Sequence, residues 1–499
     1  MAVGGFVKRI RDIMRMDAGI SGDAQRIEQL VWILFLKVYD AKEEIWEFED
    51  DDYQSIIPEP CRWRNWAVDQ SLTGEALLDF VNNTLFPVLK GKDIKATSGQ
   101  IALEGIRIQA DTPMKKSIVL AAFEDANNYM KDGVYLRQVI NVVNEVDFED
   151  TKESHAFGEI YETILKELQA AGSAGEFYTP RAVTEFMAQM IAPRLGERMA
   201  DFACGTGGFC TAWLGQLRQQ VVDTKDAALV DASVYGVEKK PFPYLLCITN
   251  MLLHDMENPA IVHGNSLLKN VLDYTEEEKF DVILMNPPYG GHEDNGVKGY
   301  FPDDLASSET ADLFMSVIMY RLKANGRGAV ILPDGFLFGN DNAKINIKKK
   351  LLTEFNLHTV IRLPGSVFAP YTSITTNILF FDNVEHQGKV WFYRLDMPEG
   401  YKHFSKTKPM KLEHFAPLMD WWQQRQEIME EQWPKAKAYT PQEIADNGYN
   451  LDLCSYPHEE EEILPPEELI AQYQSKRTSL NKKIDDVLAQ IEAMLEVKS

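Results

Sequence analysis

Two hydrophobic rhythms divide the chain. In DAQRIEQLVWILFLKVYDAKEE, Ile27, Leu30, Val31, Leu34 and Val38 recur at three- and four-residue spacing, which is one face of a helix. Trp32, Phe35 and Leu36 widen that face, so the segment reads as a helix buried inside a bundle, opened by an Asp able to cap it. Further helical candidates at Gly74–Leu89 and Met114–Asn128 give a helical N-terminal domain over residues 1–148. Past about residue 150 short apolar runs alternate with helical stretches: RMADFAC, VYGVE, AIVHG, DVILM, GAVILP, HTVIRL, NILFFD and VWFYRL are the strands. Strands alternating with ten- to fifteen-residue helices predict βαβ units around a largely parallel sheet over 149–440, covered on both faces where runs such as VILM are continuously apolar. Residues 441–499 read as a linker and a polar helix from about Glu467. There Tyr473, Leu480, Ile484, Val487, Ile491 and Met494 form a heptad seam, interrupted by Arg477, that either packs back on its own domain or meets a partner's helix.

Length changes little in this picture: 499 residues suit two or three domains. Leu30–Leu36 is too short to span a bilayer, and the start MAVGGFVKRIRDIMRM has no clean apolar signal region, so no membrane partner is expected. Five cysteines without metal-ligand spacing predict reduced thiols in a cytoplasm and no metal site. The net charge of −25 argues against a protein that grips nucleic acid alone over a wide surface, because phosphate neutralisation needs clustered Lys and Arg. It leaves room for an enzyme whose grip comes from a partner. The acidic runs EFEDDD and HEEEEE read as solvated faces, and the basic run KINIKKK (Lys344–Lys350) as an exposed helix face or a phosphate contact.

Candidate chemistry sits where strands end. DFACGTGGF (Asp201–Phe209) follows the first strand, and Gly205, Gly207 and Gly208 would let backbone approach a ligand closely. Glu238 ends the second strand, where an acid can accept two ribose hydroxyls. Asn265 follows the third, either as a turn or as an acceptor for an adenine amino group. NPPY (Asn286, Pro287, Pro288, Tyr289) ends the fourth. In an open parallel sheet all four face one crevice.

Together these motifs resemble the S-adenosylmethionine-dependent amino-methyltransferases. With GEFYTPR (Gly175–Arg181) just upstream, the order is similar to the N6-adenine DNA methylases that form the modification (M) subunit of type I restriction–modification systems. The resemblance implies an α/β fold with a Rossmann-like methyltransferase core between a helical N-terminal domain and a C-terminal helical tail. It implies S-adenosylmethionine bound by Glu176, Phe177, Tyr178, Thr179, Pro180, Arg181, Asp201, Gly205, Thr206, Gly207, Gly208, Glu238 and Asn265. Asn265 departs from the Asp found in many relatives but keeps an acceptor oxygen. Implied partners are double-stranded DNA, a specificity (S) subunit, a second copy of the chain and a restriction/translocase (R) subunit.

The tetrad itself has a chemical logic. An adenine amino nitrogen is a poor nucleophile because its lone pair is delocalised. Two acceptors, Asn286 Oδ1 and the Pro287 carbonyl, can favour pyramidal nitrogen and aim that lone pair in line with a methyl group. No strong base is required, since the nitrogen becomes acidic once methylated. The paired prolines stiffen the backbone that carries the acceptors, and Tyr289 would stack on a base taken out of the duplex. The same tetrad also suits methylation of RNA bases or of protein glutamine. A non-catalytic assembly subunit has no reason to keep all four residues, and a dinucleotide dehydrogenase leaves them idle. Phe209 and the phenylalanines of LPDGFLFG (Phe336, Phe338) line either the pocket or the core, and TSITTNILFF (Thr372–Phe381) resembles a family strand near the target base.

Overall fold

The computed structural model describes residues 3–95, 102–109, 112–146, 178–256, 258–369, 371–405, 407–430 and 433–453, with isolated positions between 161 and 165 and part of a helix between 470 and 487. Glu176 and Phe177 lie outside the described residues. Contacts group Met1–Cys454 into one compact unit and Ser455–Ser499 into a second.

Ten strands form one sheet in the order β3-β2-β1-β4-β5-β7-β6-β8-β10-β9. They are β1 Met199–Asp201, β2 Val234–Glu238, β3 Ala260–His263, β4 Phe280–Met285, β5 Leu322–Pro333, β6 Asn356–Arg362, β7 Thr376–Asp382, β8 Val390–Arg394, β9 Ile428–Glu430 and β10 Trp433–Tyr439. Strands β1 to β5 are parallel throughout. The far half departs from the parallel expectation: β7 is inserted antiparallel between β5 and β6, and β10 pairs antiparallel with β8 and β9. The reason is local. The link from β6 to β7 is about a dozen residues and forms no helix among the described residues, so it lacks the usual helical crossover and turns the chain back beside β6. Residues Thr376–Phe381 are buried without alternation, so β7 suits the interior of the sheet.

The helical part begins with α1 (Val3–Met14) and α2 (Asp23–Glu49), and continues through α3 (Met114–Phe123) and α4 (Gly133–Asn144). Gly22, not the Asp, occupies the cap position of α2, while Asp23 pairs with Arg26 at 2.7 Å and Arg11 at 3.1 Å. The Gly74–Leu89 candidate is a helix interrupted by a π turn at Val81–Leu85.

In the α/β part, α5 (Arg181–Ile191), α6 (Gly208–Arg218) and α7 (Pro241–Leu253) cover one face, and α8 (Thr310–Arg321), the short α9 (Asp334–Phe338) and α10 (Asn342–Thr353) belong to the other. Helix α7 is buried all round, from Pro243 to Leu253, because α2 and α3 pack on the side away from the sheet. One apolar core therefore runs from α1 and α2 through α7 to the sheet. Lys42–Asp255 at 2.7 Å and His263–Glu124 at 3.0 Å tie its rim.

Residues beyond 440, expected to be linker, pack on the sheet as far as Leu451: Ile444 and Leu451 are fully buried, and Asp452 pairs with Arg362. In the second unit the described seam residues Tyr473, Leu480, Ile484 and Val487 are all more than half exposed; Ile491 and Met494 lie outside the described residues.

Candidate active site

Strand order reverses between β1 and β4, which opens a crevice beyond their C-terminal ends. A cavity of about 390 Å³ lies there. Of the residues singled out from sequence, Thr179, Asp201, Gly205, Thr206, Gly208, Glu238, Asn265, Asn286, Pro288 and Tyr289 line it, as does Phe209. Tyr178, Pro180, Arg181, Gly207 and Pro287 do not.

The glycine loop turns through two left-handed positions, Gly205 at φ 53° and Gly207 at φ 78°, which L side chains adopt only at a cost. Each remaining constraint is steric. A Cβ on Gly207 would sit 2.9 Å from Cys247 Sγ and 3.0 Å from Met251 Cε, and one on Gly208 would sit 2.3 Å from Arg181 Nη1. Arg181, stacked 5.3 Å over the Tyr178 ring, thus supports the loop from behind and does not face the cavity.

Glu238 is 6% exposed, and its carboxylate accepts from Gly205 N at 3.0 Å and Lys240 N at 2.8 Å, fixing the loop to the end of β2. Burial raises its pKa, against the pull of those backbone donors. Asp201, 2% exposed, is pushed up to about 8, chiefly by burial, with the charge of Glu238 adding to it. Two buried carboxyls on one cavity wall favour a cationic ligand. Asn265 closes a turn, its Oδ1 accepting from Leu267 N at 3.0 Å.

On the opposite wall, Asn286 Nδ2 donates to Thr179 Oγ1 at 3.1 Å, and Tyr289 Oη donates to Asn286 Oδ1. The first bond orients the carboxamide, because tying down the nitrogen sends the oxygen the other way. The second places the Tyr289 hydroxyl on the very acceptor expected to receive an amino group, with burial raising its pKa so that it stays a donor. Tyr371, from the β6–β7 loop, lies close enough to raise it further.

Sequence reasoning missed Phe202, Lys239, His292, Glu293, Thr310 and Phe314, which also line the cavity. Lys239 and Glu293 face each other at 3.7 Å. Only Phe202, inside DFACGTGGF, and Lys239, adjacent to Glu238, carried a local signal. Phe336 proves to be core, whereas Phe338 is 57% exposed. The basic run is neither an exposed face nor a phosphate contact at its two key positions: Lys344 and Lys348 are 3% and 0% exposed.

With this geometry established, comparison with known proteins is specific. Residues 152–463 match the N-6 DNA Methylase family, and residues 3–143 match the HsdM N-terminal domain. The EcoEI type I restriction enzyme methylase subunit of Escherichia coli is 46% identical over 98% of both chains. The EcoKI methylase subunit of Escherichia coli K12 is 27% identical, over 81% of this chain and 72% of that one. Among solved structures, a modification subunit from Vibrio vulnificus YJ016 superposes with a TM-score of 0.76 at 37% identity, covering 91% of this chain and 96% of that one. A chain from a structural study of type I R-M complex assembly superposes with a TM-score of 0.79 at 31% identity, covering 98% of each.

Proposed function

This chain belongs to the N-6 DNA methylase family as a type I modification subunit, and from that premise we propose that its cavity binds S-adenosylmethionine on one wall and a flipped adenine on the other. The protein is a DNA adenine-N6 methyltransferase that works with a DNA-specificity subunit. A cytoplasmic location follows from its DNA substrate, and among the described residues no helix is long and apolar enough to cross a membrane.

The observation that carries the site assignment is the pairing across one cavity of Glu238, tied to the glycine loop, with Asn286, tied to Thr179. The residues suit the cofactor. Asp201 and Glu238 are buried carboxyls whose ionised forms a bound cation would stabilise, and the glycines leave room for an adenosine to approach the backbone. When bound, S-adenosylmethionine supplies a methyl group on a positively charged sulfur. Glu238 would accept from the ribose hydroxyls with lone pairs not already taken by Gly205 and Lys240.

Asn286 Oδ1 and the Pro287 carbonyl would accept from the adenine amino group. That requires the Tyr289 hydroxyl to leave Asn286, an exchange of one donor for another. The freed ring can then stack on the base. Fixed dipoles on a stiff strand end supply the stabilisation, and no general base is needed before transfer.

The test uses the chain co-purified with its specificity subunit, assayed for tritiated-methyl transfer to unmethylated genomic DNA and for cofactor affinity by calorimetry. Asn286→Ala should lower transfer by about 10²- to 10³-fold with cofactor affinity changed less than about threefold. Glu238→Ala should lose affinity first. Loss of both functions together in Asn286→Ala would mean that the residue is structural and the assignment wrong.

A further inference from the structure

The loop that follows the tetrad is a strap held against the entrance of α8. Thr310 N donates to Gly291 O at 3.1 Å, Glu293 N donates to Ser308 O at 3.0 Å, and His292 bridges Glu309 in antiparallel fashion. The fit is close: a Cβ on Gly291 would meet Thr310 Oγ1 at 2.6 Å. Gly291, His292, Glu293 and Thr310 all line the cavity beside Tyr289, so the strap is one of its walls.

Behind the strap lies a charged cluster from two separate parts of the chain, the entrance of α8 and the start of α10. Lys344 Nζ pairs with Glu309 at 2.9 Å, Asp312 at 3.0 Å and Asp341 at 2.9 Å, and Ser307 Oγ donates to Asp312 at 2.7 Å. The Lys344 side chain is 4% exposed and that of Asp312 is fully buried. The three carboxylates converge tightly enough to hold a metal ion, and the lysine ammonium occupies that position. Removing one partner of such a cluster leaves uncompensated like charges, which separate. The elements that would separate are the entrance of α8, on which the strap is pinned, and the start of α10.

We propose that Lys344 is a positioning residue for methyl transfer: by tying Glu309 and Asp312, at the entrance of α8, to Asp341 at the start of α10 it fixes the edge on which the strap is pinned, and through the strap the wall against which the target base is held. The proposal rests on the tetrad being the base clamp. Lys348, four residues on, provides an internal control. It is equally buried, yet its Nζ donates to the carbonyls of Leu337 at 3.0 Å and Gly339 at 2.6 Å, bracing α9.

The experiment measures single-turnover methyl transfer at saturating cofactor, cofactor affinity and thermal unfolding for the complex with the specificity subunit. Lys344→Met should transfer at least about tenfold more slowly, the scale on which small misplacements act, with cofactor affinity within about twofold of wild type. Lys344→Arg should recover most of the rate by restoring the cation. Lys348→Met should unfold at lower temperature and keep a rate within about twofold of wild type. An unchanged rate in Lys344→Met, or an equal loss in Lys348→Met, would overturn the proposal. If Lys344→Met does not fold, Glu309→Gln, at a half-exposed position at the entrance of α8, reads the same link, and an unchanged rate there is equally fatal. Asn286→Ala in the same assay separates the two readings. Full activity in that variant sinks the base clamp, whereas an inactive Asn286→Ala beside a normal Lys344→Met sinks only the role of Lys344.

Discussion

Tyr289 and Asp201 are the two side chains whose state must change if the site works as described. Tyr289 donates its hydroxyl to Asn286 Oδ1, so removing only the hydroxyl frees the acceptor while keeping the ring. Tyr289→Phe is therefore expected to retain transfer within about threefold, whereas Tyr289→Ala should lose the stacking contribution, about 1–3 kcal/mol, seen as weaker binding of an abasic-flanked or mismatched target adenine. Equal losses in the two variants would assign the role to the hydroxyl instead. Asp201 has its pKa raised to about 8 by burial, with Glu238 adding repulsion. Below that value it is largely neutral and above it ionised, and the ionised form attracts a cation. Cofactor affinity in the wild type should thus rise with pH toward 8 and binding should release protons, while Asp201→Asn should flatten the profile; calorimetry in buffers of different ionisation enthalpy measures both.

At the scale of elements, the β1–α6 turn shows why three nearby glycines are not equivalent. Gly207 combines φ 78° with a blocked Cβ position against the buried Cys247 and Met251 of α7. At Gly208 the closest clash is with the end of the Arg181 side chain, which can move, with Thr184 Cγ2 next at 3.3 Å. Gly207→Ala should cost about 1–2 kcal/mol of stability and weaken cofactor binding, and Gly208→Ala should cost less on both counts; paired denaturation curves and calorimetry decide it. The spacing of glycines and a following apolar helix was enough to place this turn in the sequence. The residue that crowds Gly207 was not legible, since Cys247 arrives from another βα unit.

At the scale of the molecule, the charge of −25 and the exposed seam of the second unit point the same way. A chain this acidic should bind duplex DNA weakly alone, and its specificity subunit should supply the salt-dependent part of the affinity. Exposed Tyr473, Leu480, Ile484 and Val487 present an apolar helical stripe with the periodicity of a helix–helix contact. Removing the chain from Glu467 onward should weaken assembly with the specificity subunit by at least about tenfold and leave cofactor affinity unchanged. Analytical ultracentrifugation with calorimetry on the same sample tests both halves, and unimpaired assembly would refute the interaction role.

What the sequence determined by itself was whatever depends on neighbours along the chain. Apolar runs ending in DFACG, VE, HGN and NPPY fixed both the strands and which end of each carries chemistry, because strand periodicity and turn residues act over a few positions. The tertiary structure alone decided which distant groups share charge and hydrogen bonds. Thr179 orients Asn286 across 107 residues, and Lys344 is drawn out of an apparently solvated basic run into a nest of carboxylates. A lysine reads as exposed until the acids that pay for its burial are known, and those come from Glu309, Asp312 and Asp341, on either side of a strand and a helix. The insertion of β7 between β5 and β6 belongs to the same class, since pairing direction follows from how a link closes in space and not from the apolar pattern of the strand it delivers.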